Sequence, residues 1–137
     1  ELDLNKLSEA EIAEVKEQVA FMKEYREIFQ YGTFYRLQSP FENNVMAWMS
    51  VSADKKTAIV GWYRTLNRVN YRFERVRLAG LLPDALYENS RSAVRCYGDE
   101  LMNYGLITTD GTTGEPIAEN GLSTDFESRI YVLKAVK

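Results

Sequence analysis

The stretch of sequence that decides the fold is residues 46–66, which read MAWMSVSADKKTAIVGWYRTL. Two runs rich in β-branched and aromatic residues flank a short polar segment, a pattern that predicts a β-hairpin. Alternation puts four apolar side chains on one face of the first run: Val45, Ala47, Met49 and Val51. The second run, residues 57–66, is apolar on both faces. We therefore expect its strand to lie centrally in a sheet with a second layer above it.

A long helix is predicted before the hairpin. Ser8 followed by Glu11 is a capping-box pattern that indicates a helix start, and Gly32 suits the helix end because glycine adopts the left-handed conformation without penalty. Apolar residues recur between them at helical spacing: Ile12, Val15, Val19, Met22 and Phe29, with Phe21, Tyr25 and Ile28 widening the stripe. We predict one helix over about residues 9–30. Its wide stripe either packs on the rest of this chain or contacts a partner outside it.

The remainder of the chain is predicted to form short strands joined by turns. Strands are expected at residues 33–37, 72–79, 86–90, 93–97 and 125–136. In the second of these, Arg75 and Arg77 share one face, which we interpret as solvated in preference to a ligand-binding row.

Two shorter segments complete the pattern. Residues 98–105 lie between two glycines and are expected to form one helical turn at an end of the sheet, and residues 110–120 are a predicted loop. Helices do not alternate with the strands, so parallel βαβ units are excluded. The predicted fold class is mainly β, an antiparallel β-sandwich preceded by one long N-terminal α-helix.

Composition excludes several classes of function. The 137 residues are 45% hydrophobic and 27% charged, as in an ordinary globular domain. With no histidine and one cysteine, the chain lacks the usual ligands of a zinc site, and we expect no metal and no cofactor. A net charge of −3 argues against nucleic acid, and no apolar run approaches the ~20 residues that span a bilayer. The single Cys96 fits a reducing compartment, so we expect a cytoplasmic protein.

Carboxylates are the remaining catalytic candidates, because glycoside hydrolysis needs only two. Asp99 and Glu100 are adjacent and point in different directions in any regular structure. Four other aspartates lie in predicted turns, where aspartate bonds to its own backbone: Asp54, Asp84, Asp110 and Asp125. A structural role is preferred for all six, and no catalytic residue is assigned.

Trp48 and Trp62 are candidates for binding a carbohydrate, because exposed aromatic rings can stack on sugar rings. Both lie in strongly apolar strands, so packing in the core or against a neighbouring domain is the preferred interpretation. An independent carbohydrate-binding β-sandwich module using Trp48 or Trp62 is the alternative. A third possibility is a protein-interaction sandwich unrelated to sugars.

Several segments resemble one enzyme family. Residues 97–106 (YGDELMNYGL) carry the most specific likeness, and residues 31–37 (YGTFYRL), 77–81 (RLAGL), 83–87 (PDALY) and 128–134 (SRIYVLK) add to it, with a departure at Leu82. Together they resemble the C-terminal end of family 36 glycoside hydrolases, the bacterial α-galactosidases, over nearly the whole chain.

The resemblance implies a division of the chain after residue 32. Residues 1–32 would be the last helix of a (β/α)8 catalytic barrel, and residues 33–137 would be the C-terminal antiparallel β-sandwich. The family hydrolyses terminal α-galactosides such as melibiose and raffinose with retention, using two aspartates on barrel strands. The nucleophile follows a Lys-Trp pair in the family. No Lys-Trp-Asp sequence occurs here, so no catalytic residue carries over.

The resemblance also implies partners. The chain would be non-catalytic, with a structural and assembly role beside the catalytic barrel of the same polypeptide, whose substrate is an α-galactoside. Because the chain begins at Glu1 without Met, we expect it to be a piece of a longer polypeptide. An exposed helix stripe would favour self-association, so we also expect a homo-oligomer.

Overall fold

The computed structural model describes residues 6–66, 74–108 and 125–137. The helices in these ranges are α1 (Glu9–Glu24), α2 (Arg26–Tyr31) and α3 (Gly98–Asn103). The strands are β1 (Thr33–Gln38), β2 (Val45–Val51), β3 (Thr57–Arg64), β4 (Arg75–Val76), β5 (Leu86–Asn89), β6 (Arg95–Tyr97), β7 (Leu106–Ile107) and β8 (Glu127–Ala135). The predicted loop at residues 110–120, including Asp110, lies outside the described residues.

Six of these strands form one antiparallel sheet in the order β1-β2-β3-β8-β5-β6. The predicted hairpin is present: β2 pairs with β3 along its whole length, and Val51 faces Ala58 next to the turn. The second strand of the hairpin lies between β2 and β8, as expected for a run that is apolar on both faces. The mainly β, antiparallel fold predicted from the sequence is confirmed.

Side chains cover both faces of the central strands. The inner face carries the larger core, with Trp62, Met49, Tyr131 and Leu133 fully buried. The two-stranded sheet β4-β7 and α3 supply the opposite layer of that core. The core on the outer face is smaller. There Ile59 and Val132 are buried beneath four side chains of the helical segment: Phe21, Tyr25, Ile28 and Phe29.

The N-terminal helix differs from the prediction in one respect: it is interrupted. Its capping box is present, because the Ser8 amide donates to Glu11 Oε2 at 2.8 Å and the Glu11 amide donates to Ser8 Oγ at 3.3 Å. Tyr25, with φ −103° and ψ 11°, separates α1 from α2. Tyr25 is buried against the sheet, so packing of its ring sets the position of the break.

The prediction for Gly32 was right about position and wrong about cause. The second helix does end there, but φ at Gly32 is −70°, so the backbone is extended and not left-handed. A Cβ at this position would lie 2.6 Å from the carbonyl oxygen of Val51 and 2.4 Å from that of Ile28. Glycine is therefore required because helix and sheet backbones approach closely.

The predicted strand at residues 72–79 is shorter in the structure. Residues 72–73 lie outside the described ranges, and regular pairing covers only Arg75 and Val76. The alternation holds, with Val76 and Leu78 buried and Arg75 and Arg77 exposed. The strand ends early because the Leu78 amide donates to the carbonyl of Leu101, in α3, at 3.0 Å.

Among the described residues, no helix is long and apolar enough to cross a membrane.

Candidate functional site

Trp62 lies inside a buried cluster of charges at one end of the main sheet. Its ring is fully buried, with the guanidinium carbons of Arg64 and Arg129 5.3 Å and 5.6 Å from its centroid. Both arginines bind Glu127: Arg64 Nη2 is 2.5 Å from Oε2, and Arg129 Nε donates to Oε1 at 2.9 Å. Arg129 also donates to the Thr108 carbonyl at 2.6 Å.

This position places Trp62 in the core of the sheet. A pyranose can stack only on a ring face that solvent reaches, and Trp62 has none. The charge cluster instead ties β3, β8 and the end of β7 together, which is a structural task. The sequence analysis predicted none of its three charged members, although Arg64 and Arg129 each share the buried parity of their strands.

Trp48 lies on the opposite, outer face of the sheet, where it is half-buried. Its ring is nearly parallel to Phe34 on β1 and to Tyr63 on β3, with centroids 6.0 Å and 6.4 Å away. Phe29, on α2, meets the same indole edge-on at 6.3 Å. We call Phe34, Trp48 and Tyr63 the aromatic row.

The indole of Trp48 also covers Gly61, its cross-strand partner. A Cβ on Gly61 would lie 2.4 Å from Cε2 of Trp48, so the absent side chain makes room for the ring. Trp48 thus has packing partners on its own strand pair, on β1 and on α2. Of the two tryptophans considered as carbohydrate-binding residues, only Trp48 has a side chain that solvent reaches.

Contacts between aromatic rings continue from the row into the helices. Phe29 is 6.3 Å from Phe21, and Phe21 is 4.8 Å from Tyr25. The Ser50 hydroxyl donates to the carbonyl of Ile28 at 2.8 Å, which fixes α2 to β2. Helix and sheet are therefore joined along one continuous apolar surface.

The wide apolar stripe of the helix resolves into two faces. Phe21 and Tyr25 pack on the sheet. The other large apolar side chains of α1 are centred about 120° away, at roughly 100° per residue: Ile12, Val15, Val19 and Met22. We call these four the outward stripe.

Exposure shows that the outward stripe is partly uncovered, with Ile12 and Val15 half-buried and Val19 and Met22 exposed. Val19 is 46% and Met22 51% exposed, and α1 has no buried residue along its 16 positions. Because its packing is limited to half-buried side chains, α1 gains only modest stability from this chain, and isolated helices of this length are marginal in water. One face of the helix thus packs on this chain, and a partner for the other face stays a prediction.

Three of the candidate carboxylates accept hydrogen bonds from nearby backbone or hydroxyl groups: Asp54, Asp99 and Glu100. Asp54 accepts from the Ser52 hydroxyl at 2.6 Å and from the Lys56 amide at 2.9 Å, in the hairpin turn. These two bonds, the first more than the second, hold the pKa of Asp54 below its usual value. Asp99 and Glu100 lie in the first turn of α3, where Glu100 accepts from the Tyr97 amide at 2.7 Å.

An apolar cavity of about 460 Å³ lies under β5 and β6. Leu101, Leu106 and Leu133 line it together with Glu100 and Cys96. Burial, and secondarily the Glu100 carboxylate, raise the pKa of the Cys96 thiol, so the thiol stays protonated at neutral pH. Within the described ranges, no three His, Cys, Asp or Glu side chains are grouped to hold a metal ion.

Comparison with known proteins gives a family match over most of the chain. Residues 45–133 match the family model of the glycosyl hydrolase family 36 C-terminal domain. Alpha-galactosidase AgaA of Geobacillus stearothermophilus is 44% identical over 137 residues, which are 100% of this chain and 17% of AgaA. The chain thus spans about a sixth of the length of this relative.

Solved structures agree with the sequence match. The alpha-galactosidase from Lactobacillus brevis superposes with a TM-score of 0.87 at 40% identity, covering 100% of this chain and 18% of that one. A substituted AgaA in complex with raffinose gives a TM-score of 0.85 at 41% identity, covering 98% of this chain and 17% of that one.

Proposed function

Because the chain belongs to the glycosyl hydrolase family 36 C-terminal domain family, we propose that it is the non-catalytic C-terminal β-sandwich of an α-galactosidase. The longer polypeptide hydrolyses terminal α-galactosides, and this chain supports its catalytic barrel. The observation that carries the proposal is the match of the whole chain to one part of AgaA. The complex of an AgaA variant with raffinose supports the substrate class.

We further propose that residues 1–32 belong to the barrel and residues 33–137 form the sandwich. The two faces of α1 support this division. Phe21 and Tyr25 hold the helix on the sheet, while the outward stripe, exposed at Val19 and Met22, is available to the rest of a barrel. Burying such a stripe contributes about 25 cal/mol per Å² of apolar surface.

A homo-oligomer and a cytoplasmic location are also proposed. The exposed apolar side chains of the helix and of β1 support association, either within the polypeptide or between copies. A single cysteine in 137 residues supports a reducing compartment. Binding of a carbohydrate through Trp48 is the alternative function, and its partly exposed ring supports it.

The experiment that tests the proposal measures turnover of a chromogenic α-galactoside by this chain and by the longer polypeptide containing it. We expect turnover by the longer polypeptide and none by the chain alone, since no Lys-Trp-Asp sequence occurs in the chain. Turnover by the chain itself would refute the non-catalytic assignment. An inactive longer polypeptide would refute the activity.

A further inference from the structure

The aromatic row is an apolar surface that the described residues leave partly uncovered. Phe34 is 56% exposed at the edge of the sheet, and Tyr31, at the end of α2 beside it in sequence, is 79% exposed. Trp48 and Tyr63 are half-buried. Exposed apolar side chains that lie together and are rimmed by polar groups, such as Arg36 opposite Trp48, mark interaction surfaces.

The position of the row indicates which partner covers it. The row lies on the outer face of the sheet, the same face on which α1 and α2 pack. Phe29 contacts both Phe21 and Trp48, so the apolar surface is continuous from the helix to the sheet edge. The row and the helix that carries the outward stripe are therefore neighbours on one face of the sheet.

The length of the relatives indicates which part of the polypeptide covers the aromatic row. The match covers 17% of AgaA, and the matching family model is a C-terminal domain, so most of that relative's chain precedes the matched part. We propose that the aromatic row is a second docking surface for the preceding catalytic part of the same polypeptide, distinct from the outward stripe. This inference rests on the proposed function and names the contact through which the sheet itself supports the barrel.

A labelling experiment tests the docking surface. In a Cys96→Ala background, Phe34→Cys is compared with Val94→Cys, a matched control that is 44% exposed beside β6 at the other end of the sheet order. A maleimide reagent is applied to this chain and to the longer polypeptide, and the modification rate is read by mass spectrometry on the peptide that carries each cysteine.

We expect position 34 to react at least about tenfold more slowly in the longer polypeptide than in the chain alone, because a covered thiol reacts only on local opening. Position 94 should react at equal rates in both. Equal rates at position 34 would overturn the inference. The inference would also be overturned if position 34 of the chain alone reacted more slowly as the chain concentration rises, because a second copy of the chain would then cover the row.

The outcome is independent of activity. An active polypeptide whose position 34 reacts freely would refute the docking surface and leave the proposed function standing. An inactive polypeptide whose position 34 is protected would refute the activity and leave the docking surface standing.

Discussion

Replacing Glu127 by glutamine should destabilise the fold through the buried charge cluster. The carboxylate binds two guanidiniums whose side chains are 1% and 7% exposed, Arg64 and Arg129. The Glu127→Gln variant keeps the size of the side chain and removes its charge. Both guanidiniums keep their positive charge, as arginine side chains do in proteins. Their positive charges would then repel each other across the Trp62 ring.

The magnitude follows from the burial of the group. Breaking a buried ion pair costs about 3–5 kcal/mol, because it leaves an uncompensated charge. Glu127 is 17% exposed and the amide oxygen of glutamine can still accept a hydrogen bond, so we expect about 2–3 kcal/mol. Glu88→Gln is the matched control. Its bridge to Arg95 is also short, 2.6 Å, but the side chains are 33% and 58% exposed, which limits its loss to about 0–1 kcal/mol.

Urea unfolding of both variants, followed by tryptophan fluorescence, measures the difference. At a typical slope of about 1–3 kcal/mol per M, the loss at Glu127 should lower the midpoint by roughly 1 M. A Glu127→Gln midpoint indistinguishable from that of Glu88→Gln would refute the reasoning. It would mean that water stabilises the two guanidinium charges as effectively as the Glu127 carboxylate does.

Four further predictions concern other parts of the fold. Gly61→Ala should cost about 1–3 kcal/mol of unfolding free energy because its Cβ meets the Trp48 ring; a gain in urea midpoint would contradict this packing. Met49→Ala should cost about 2–5 kcal/mol, since Met49 is 0% exposed in the core; a calorimetric loss below about 1 kcal/mol would show that the site collapses. Asp54 has a lowered folded pKa, so the stability it contributes is present above its unfolded pKa and is lost below about pH 4. Ser52→Ala should raise that pKa in an NMR titration; an unchanged value would reject the Ser52 bond as its main cause. Galactose or raffinose should leave the tryptophan fluorescence of the chain unchanged; a saturable shift that Trp48→Phe abolishes would favour the carbohydrate-binding alternative.

The hairpin and the sheet could be predicted from the sequence because strand parity is local information. Alternation in β2 and two apolar faces in β3 identify a central strand with layers on both sides. The break at Tyr25 could not be predicted, because helical spacing continues through it from Phe21 to Phe29. What interrupts the helix is tertiary packing of the Tyr25 ring on the sheet.

The charge cluster around Trp62 could not be predicted from local sequence patterns either, for a different reason. Arg64 and Glu127 are 63 positions apart in sequence, and their contact depends on the pairing of β3 with β8. The sequence indicated both tryptophans as candidate carbohydrate-binding residues, and their apolar strands favoured packing over sugar binding. The local pattern could not show that two guanidiniums lie 5.3 Å and 5.6 Å from the Trp62 ring centroid, or that Trp48 contacts Phe29 of α2.

The central claim is that this chain supports the catalysis of an α-galactosidase without contributing a catalytic group. Turnover of a chromogenic α-galactoside by the longer polypeptide, with and without residues 33–137, tests it most directly. We predict that deletion of this β-sandwich abolishes turnover, because the barrel then loses the sheet on which its last helix packs. Full turnover by the deleted polypeptide would contradict the supporting role.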